Sequence, residues 1–106
     1  MTLQSATLTK LQMLETLYRR GYRSQVIDRA VDKLIVLEQA RTHRELADLE
    51  ARLQAFEVRY AMASAEFYAR YEAGQLDDSA DFMEWSSFYD MRTAAQQRLH
   101  WLSGQA

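Results

Sequence analysis

Over residues 24–60 the chain has neither Gly nor Pro. Its second half repeats apolar residues at spacings of three and four: Leu46, Leu49, Leu53, Phe56 and Tyr60. That is the a/d seam of a helix that lies lengthwise on another helix. The first half sets Ile27, Ala30, Val31, Leu34 and Leu37 at helical spacing, and these are expected to be buried. Between the two, residues 38–45 read Glu-Gln-Ala-Arg-Thr-His-Arg-Glu, a polar belt expected to separate two packing regions on one rod. At ~1.5 Å per residue the predicted helix is on the order of 55 Å long, so it needs something to lie against.

The flanks are punctuated. Thr9 and Gln12 match a capping box, predicting a short first helix with Leu11, Leu14 and Tyr18 on one side. Gly21 is suited to end it in a left-handed turn with Tyr22 folding back, and Ser24 is placed to cap the long helix. Around residues 61–64 the rod is expected to stop or bend, with Ser64 as the next N-cap and Glu66 in the first turn. A short helix bearing Phe67, Tyr68 and Tyr71 should end at Gly74, with loop to Ser79. Asp78 is the expected cap of a last helix, whose stripe is Phe82, Trp85, Phe88, Tyr89, Ala95, Leu99 and Leu102. The reading is a single all-α domain over 1–106. It comprises a short N-terminal helix within 1–22, a long helix over 24–60, a short one over 64–74 and a C-terminal helix over 78–102. The last helix is set antiparallel on the long one as a helical hairpin or bundle, in 3-4 packing geometry.

Composition narrows the class. With 106 residues, no Pro, no Cys and three Gly, the strongest breakers are nearly absent, and no disulfide frame, thiolate nucleophile or Cys-ligated zinc is available. No start pattern of a secretory signal and no apolar run of ~20 residues is found, which places the protein in the cytoplasm as an expectation. Net charge is −2, but unevenly spread. Residues 1–55 hold nine Lys/Arg against seven Asp/Glu, and residues 56–106 hold four against eight. Ten of the twelve aromatics lie from Phe56 onward. A mildly basic, leucine-rich front and an acidic, aromatic back suggest two contact surfaces.

Candidate chemistry is thin. The Gly21 corner has a helix-turn-helix outline, and Arg19, Arg20 and Arg23, with Arg29 and Lys33, are possible phosphate contacts. Asp28 and Asp32 on the supposed reading helix argue for a plain αα-corner instead. Asp81 with Glu84, and Glu45 with Asp48, are i,i+3 acidic pairs of the kind that hold Mg²⁺ in helical nucleotide hydrolases. No ordered basic set for phosphates accompanies them, and helix-start capping explains Asp77, Asp78, Asp81 and Glu84 equally well. His43 and His100 have no second ligand at i+4, and no Ser/His/acid grouping follows from spacing. No cofactor, no metal and no catalytic residue are expected. The strongest signal is the surplus of rings from Phe67 to Tyr89: each is core by default, and any left at an acidic edge would serve a protein interface.

These same residues resemble a known family. Phe56-Glu57, Tyr60, Met62, Ser64, Glu66-Phe67-Tyr68, then Gly74, Leu76, Asp78, then Asp81-Phe82, Glu84-Trp85 and Tyr89-Asp90-Met91 are similar to small all-helical proteins on the antitoxin side of prokaryotic toxin–antitoxin pairs. The likeness covers roughly Phe56 to Met91 well and the front more loosely. Ala61 stands where that pattern has Gly. The resemblance implies an inhibitor that binds a small toxin enzyme encoded nearby and does no chemistry of its own. On that basis Phe67, Tyr71, Asp81, Trp85 and Tyr89 are candidate partner contacts. Leu11, Leu14, Ile27 and Leu34 are candidates for self-association into a homo-oligomer; a nucleic-acid partner is disfavoured, and no membrane is implied.

Overall fold

Helical periodicity governs the whole chain. The computed structural model describes residues 3–104, with side chains from residue 5, and among them there are four helices and no strand. They are α1 (Leu3–Arg19), α2 (Gln25–Tyr60), α3 (Ser64–Glu72) and α4 (Ala80–Leu102). The contacts divide the chain into two compact units, Met1–Leu34 and Ile35–Ala106, and the division falls inside α2.

In the first unit α1 begins well before the capping box read at Thr9. Thr9 sits mid-helix and its hydroxyl donates to the Ser5 carbonyl at 2.9 Å, the back-bond of a Thr inside a helix. Gly21 ends the turn after α1 with φ +94°, and the Tyr22 N–H reaches the Leu17 carbonyl at 3.0 Å while the Gly21 N–H reaches Tyr18 at 3.1 Å. That pair of bonds is a Schellman motif, and the left-handed residue in it is where glycine costs least. Ser24 caps α2 as expected, its hydroxyl accepting the Ile27 N–H at 3.4 Å.

The second unit carries the core. Leu49, Leu53 and Phe56 of α2 are buried, with Leu46 and Tyr60 half-buried, so the predicted seam is the packing face. It packs against α4. Arg59 meets Asp81, Phe56 stacks on Trp85, Arg92 meets Glu50 and Arg98 meets Glu45, so contacts climb α4 as they descend α2. The polar belt belongs to this unit rather than lying between regions. Thr42 within it is sealed at 1% exposure, and Gln39 donates to the Leu102 carbonyl at 2.8 Å.

Two expected caps are corrected. Ser64 is inside α3, whose N-cap is Ala63. The Ser64 N–H is satisfied instead by the Glu57 carboxylate at 2.8 Å, which frees the Ser64 hydroxyl to accept the Trp85 indole N–H at 2.9 Å. For α4 the cap is Ser79, accepting the Phe82 N–H at 3.2 Å, while Asp78 accepts the Tyr71 hydroxyl. At residue 61 the rod does end. Ala61 takes φ +51°, and the Met62 N–H bonds back to Glu57, the same chain reversal that Gly21 makes but with a Cβ in it.

Candidate functional site

The aromatic group is built around Trp85. Its indole lies on Phe67 with ring centroids 3.9 Å apart and planes within 1°, and Phe56 stacks on it at 5.5 Å. Tyr60 and Phe82 close the sides. One ring therefore ties α2, α3 and α4 together, and its only polar atom is satisfied by Ser64. Phe67 and Trp85, expected at a partner contact, are wholly buried (0% exposed) and have no surface to offer. They form the core with Leu53 and Phe56.

Tyr71, Asp81 and Tyr89 are half-buried at the rim of that core, and each already has an internal partner. Tyr71 stacks on Phe67 and its hydroxyl donates to Asp78 at 3.2 Å. Tyr89 stacks on Tyr68 at 4.3 Å and lies under the Arg92 guanidinium at 4.8 Å. Asp81 accepts from the Tyr60 hydroxyl and from Arg59 at 2.8 Å. Those two donors, Tyr60 first, hold the Asp81 carboxyl below the usual carboxylate range. The same bond, with partial burial, pushes the Tyr60 phenol up. Tyr68 repeats the device: its hydroxyl donates to Asp90 at 2.5 Å, and its pKa is pushed up to about 12. Arg52 covers Phe88 and Arg59 covers Phe56. The second unit thus satisfies its own rings with arginines and aspartates.

Three of the four carboxylates read as a possible Mg²⁺ site are engaged by arginine. Asp81 pairs with Arg59, Glu45 with Arg98 at 2.6 Å, and Asp48 with Arg52 at 3.0 Å. Because Glu45 lies beside Arg98 and Asp81 beside Arg59, the two pairs sit at opposite ends of the α2–α4 contact. Among the described residues no group of three His, Cys, Asp or Glu could hold a metal ion. His43 is exposed. No helix of the described residues is long and apolar enough to cross a membrane.

The first unit is the opposite case. Ile27 is half-buried, but Ala30, Val31 and Leu34, expected to be buried, are exposed, as is Leu37 at the start of the second unit. No described side chain of the first unit is buried. Leu8, Leu11, Met13, Leu17, Tyr22, Val26, Val31 and Leu34 are between 41% and 78% exposed. A splayed groove of about 520 Å³ runs between α1 and α2, with Leu11, Leu14, Tyr18, Ile27 and Val31 inside and Glu15, Asp28 and Asp32 among its lining. The periodicity was legible, but the burial was inferred from it. α1 carries two stripes, Leu11/Leu14/Tyr18 and Met13/Leu17, more than one neighbouring helix can cover.

At the corner the Tyr18 hydroxyl donates to Asp28 at 2.5 Å and accepts the Ser24 N–H at 3.2 Å. Arg23 donates to the Tyr18 and Tyr22 carbonyls at 3.0 and 2.8 Å and lies over the Tyr18 ring. Arg19 pairs with Glu15 at 3.5 Å. Of the three arginines next to Gly21, Arg23 is a strut of the turn and only Arg20 makes no ion pair or side-chain bond within the described residues. No protein-family model, no curated protein and no solved structure matches this chain.

Proposed function

We propose that this protein works by contact, as a non-catalytic protein-binding module. In the reading its resemblance favours, it is an antitoxin that neutralises a small toxin enzyme by direct binding. The observation that carries the first step is the first unit's uncovered apolar surface. Soluble monomers seldom leave a contiguous apolar patch larger than a few hundred Å² without a partner for it, and here a two-helix unit buries no described side chain of its own. The second unit supplies a stable, acid-rich scaffold. Its rim residues Tyr71, Asp81 and Tyr89 remain the part of the ring cluster that a basic partner can reach, with Phe67 and Trp85 supporting them from beneath. The arginine-paired carboxylates favour this reading over a metal-dependent hydrolase.

The test is co-expression with the product of the adjacent reading frame. A stoichiometric complex that survives purification, together with relief of that product's toxicity, is the expected result. Absence of both in the soluble, folded protein removes the antitoxin reading. Salt-sensitive DNA binding abolished by Arg19→Ala, Arg20→Ala and Arg23→Ala would put a helix-turn-helix regulator in its place.

A further inference from the structure

We infer that the occupant of the first unit's apolar face is a second copy of this chain, so that the protein is a dimer through α1 and the start of α2. This rests on the reading that the face is a protein interface, and it names the partner. Three observations support it. First, a unit of 34 residues is below the size at which a chain supplies its own core, and disulfides, metals or oligomerisation usually make up the difference. The chain has no Cys, and no metal-holding group exists among the described residues, which leaves association.

Second, apolar surface is free beside the groove: Leu8, Leu11, Leu17, Val31 and Leu34 are each 41–56% exposed, whereas Met13 and Val26 lie on the far sides of their helices. Ile27, Val31 and Leu34 follow one another at i, i+4 and i+7, the anchors by which one helix seats in a groove between two others.

Third, the charges complement themselves. Glu15, Asp28 and Asp32 line the groove, while Lys10 on α1 makes no ion pair among the described residues. Lys10 shares a face with Leu14 and Leu17, so its ammonium stands within the apolar surface rather than behind it. In a two-fold interface residue i meets j and j meets i, so each acid–base match is made twice. A second copy brings the leucines and Lys10 together with the groove's acids; a foreign helix would have to match both independently.

The test uses the full chain in sedimentation equilibrium and in hydrogen exchange over a wide range of concentrations. The expected result is a monomer–dimer equilibrium, with amide protection across residues 8–34 rising with concentration while that of the second unit stays constant. Leu11→Glu with Leu34→Glu should shift the dissociation constant at least a hundredfold, whereas Val58→Glu, an exposed apolar position of the second unit, should leave it unchanged. The exchange measurement needs no variant, so a double variant that lost its first helix would not obscure the result. A wild-type chain that stays monomeric at every concentration overturns the proposal, as does a dimer weakened by Val58→Glu and not by the double variant. If a monomer instead captures the adjacent frame's product through Leu11 and Leu34, the face is a protein interface and only the second copy is wrong. If the monomer captures nothing, both readings fall.

Discussion

Ala61 is the one non-glycine residue held in the left-handed region among those described, at φ +51°. A Cβ there costs roughly 1–2 kcal/mol. Glycine would return roughly 0.4–1 kcal/mol of that through its freer unfolded chain. Ala61→Gly is therefore expected to stabilise the protein by about 0.5–1 kcal/mol, read as a rise in the denaturation midpoint with an unchanged denaturant slope. A lower midpoint would mean that the turn is not strained. Asp81 gives a second residue-scale expectation. Its carboxyl titrates below its unfolded value because Tyr60 and Arg59 donate to the charged form. The stability this contributes is present above the unfolded pKa of about 3.9 and is lost as pH falls through the folded value. Asp81→Asn should lower the midpoint at neutral pH and flatten its acid limb below about pH 4. A variant with the wild-type acid slope would show that the Tyr60–Asp81–Arg59 group does not couple to folding. Neither feature was fully legible in the sequence. The Gly expected at Ala61 already points to a left-handed position, but whether the helix bends there or runs on needs coordinates. Asp81 reads from the sequence as an acid at a helix start, which gives no hint that a tyrosine twenty-one positions earlier reaches it.

Between elements, the deciding bond is the one from Trp85 to Ser64. Helix α3 is nine residues long, far short of what is stable alone, so it persists through what it packs against. Phe67 lies flat on the Trp85 indole, and the Ser64 hydroxyl accepts that ring's only N–H in a buried setting. Ser64→Ala leaves the indole N–H unpaired and is expected to cost about 1–3 kcal/mol, while Ser64→Thr, which keeps the hydroxyl, is expected to cost less. Equal losses in the two variants, measured by chemical denaturation, would show that packing and not the hydrogen bond matters at this position. The spans of α2, α3 and α4 and the seam from Leu46 to Tyr60 are readable because helical apolar periodicity leaves little choice of structure, whereas the start of α1 is not. The caps at Ser64 and Asp78 were not, because each position has another polar residue close by. Glu57 took over the first N–H of α3 and Ser79 stood one residue nearer α4 than Asp78. The five candidate contact residues come from the resemblance, which does not separate core from surface. Periodicity tells which side of a helix is apolar, but not whether that side ends under a neighbour or beside it, and so Phe67 and Trp85 went to the core while Tyr71, Asp81 and Tyr89 stayed at its rim.

At the scale of the whole molecule the two units differ in what stabilises them. The second buries Leu49, Leu53, Phe56, Phe67, Trp85 and Ala95, and its ion pairs lie at the margins, where each is worth at most about 1 kcal/mol. Its amides should open only with global unfolding. The first unit has helical propensity, a Schellman turn and the Tyr18–Asp28 bond, but no buried apolar side chain among those described. Helical segments of this length are marginal in water without tertiary packing. In dilute solution, hydrogen exchange should therefore resolve two classes. Residues 8–30 should exchange within a small factor of an isolated helix, and the stretches around Leu53, Phe67 and Trp85 should be protected by the full unfolding free energy. The same contrast predicts how mutations divide. Leu11→Ala or Val31→Ala should leave the second unit's unfolding midpoint unchanged within about 0.5 kcal/mol, the range for exposed positions, whereas Phe67→Ala should cost about 3–5 kcal/mol. If dilute protein showed uniform protection from α1 to α4, with Leu11→Ala as damaging as Phe67→Ala, the first unit would already be covered from within. An exposed leucine surface would then no longer explain what the protein is for.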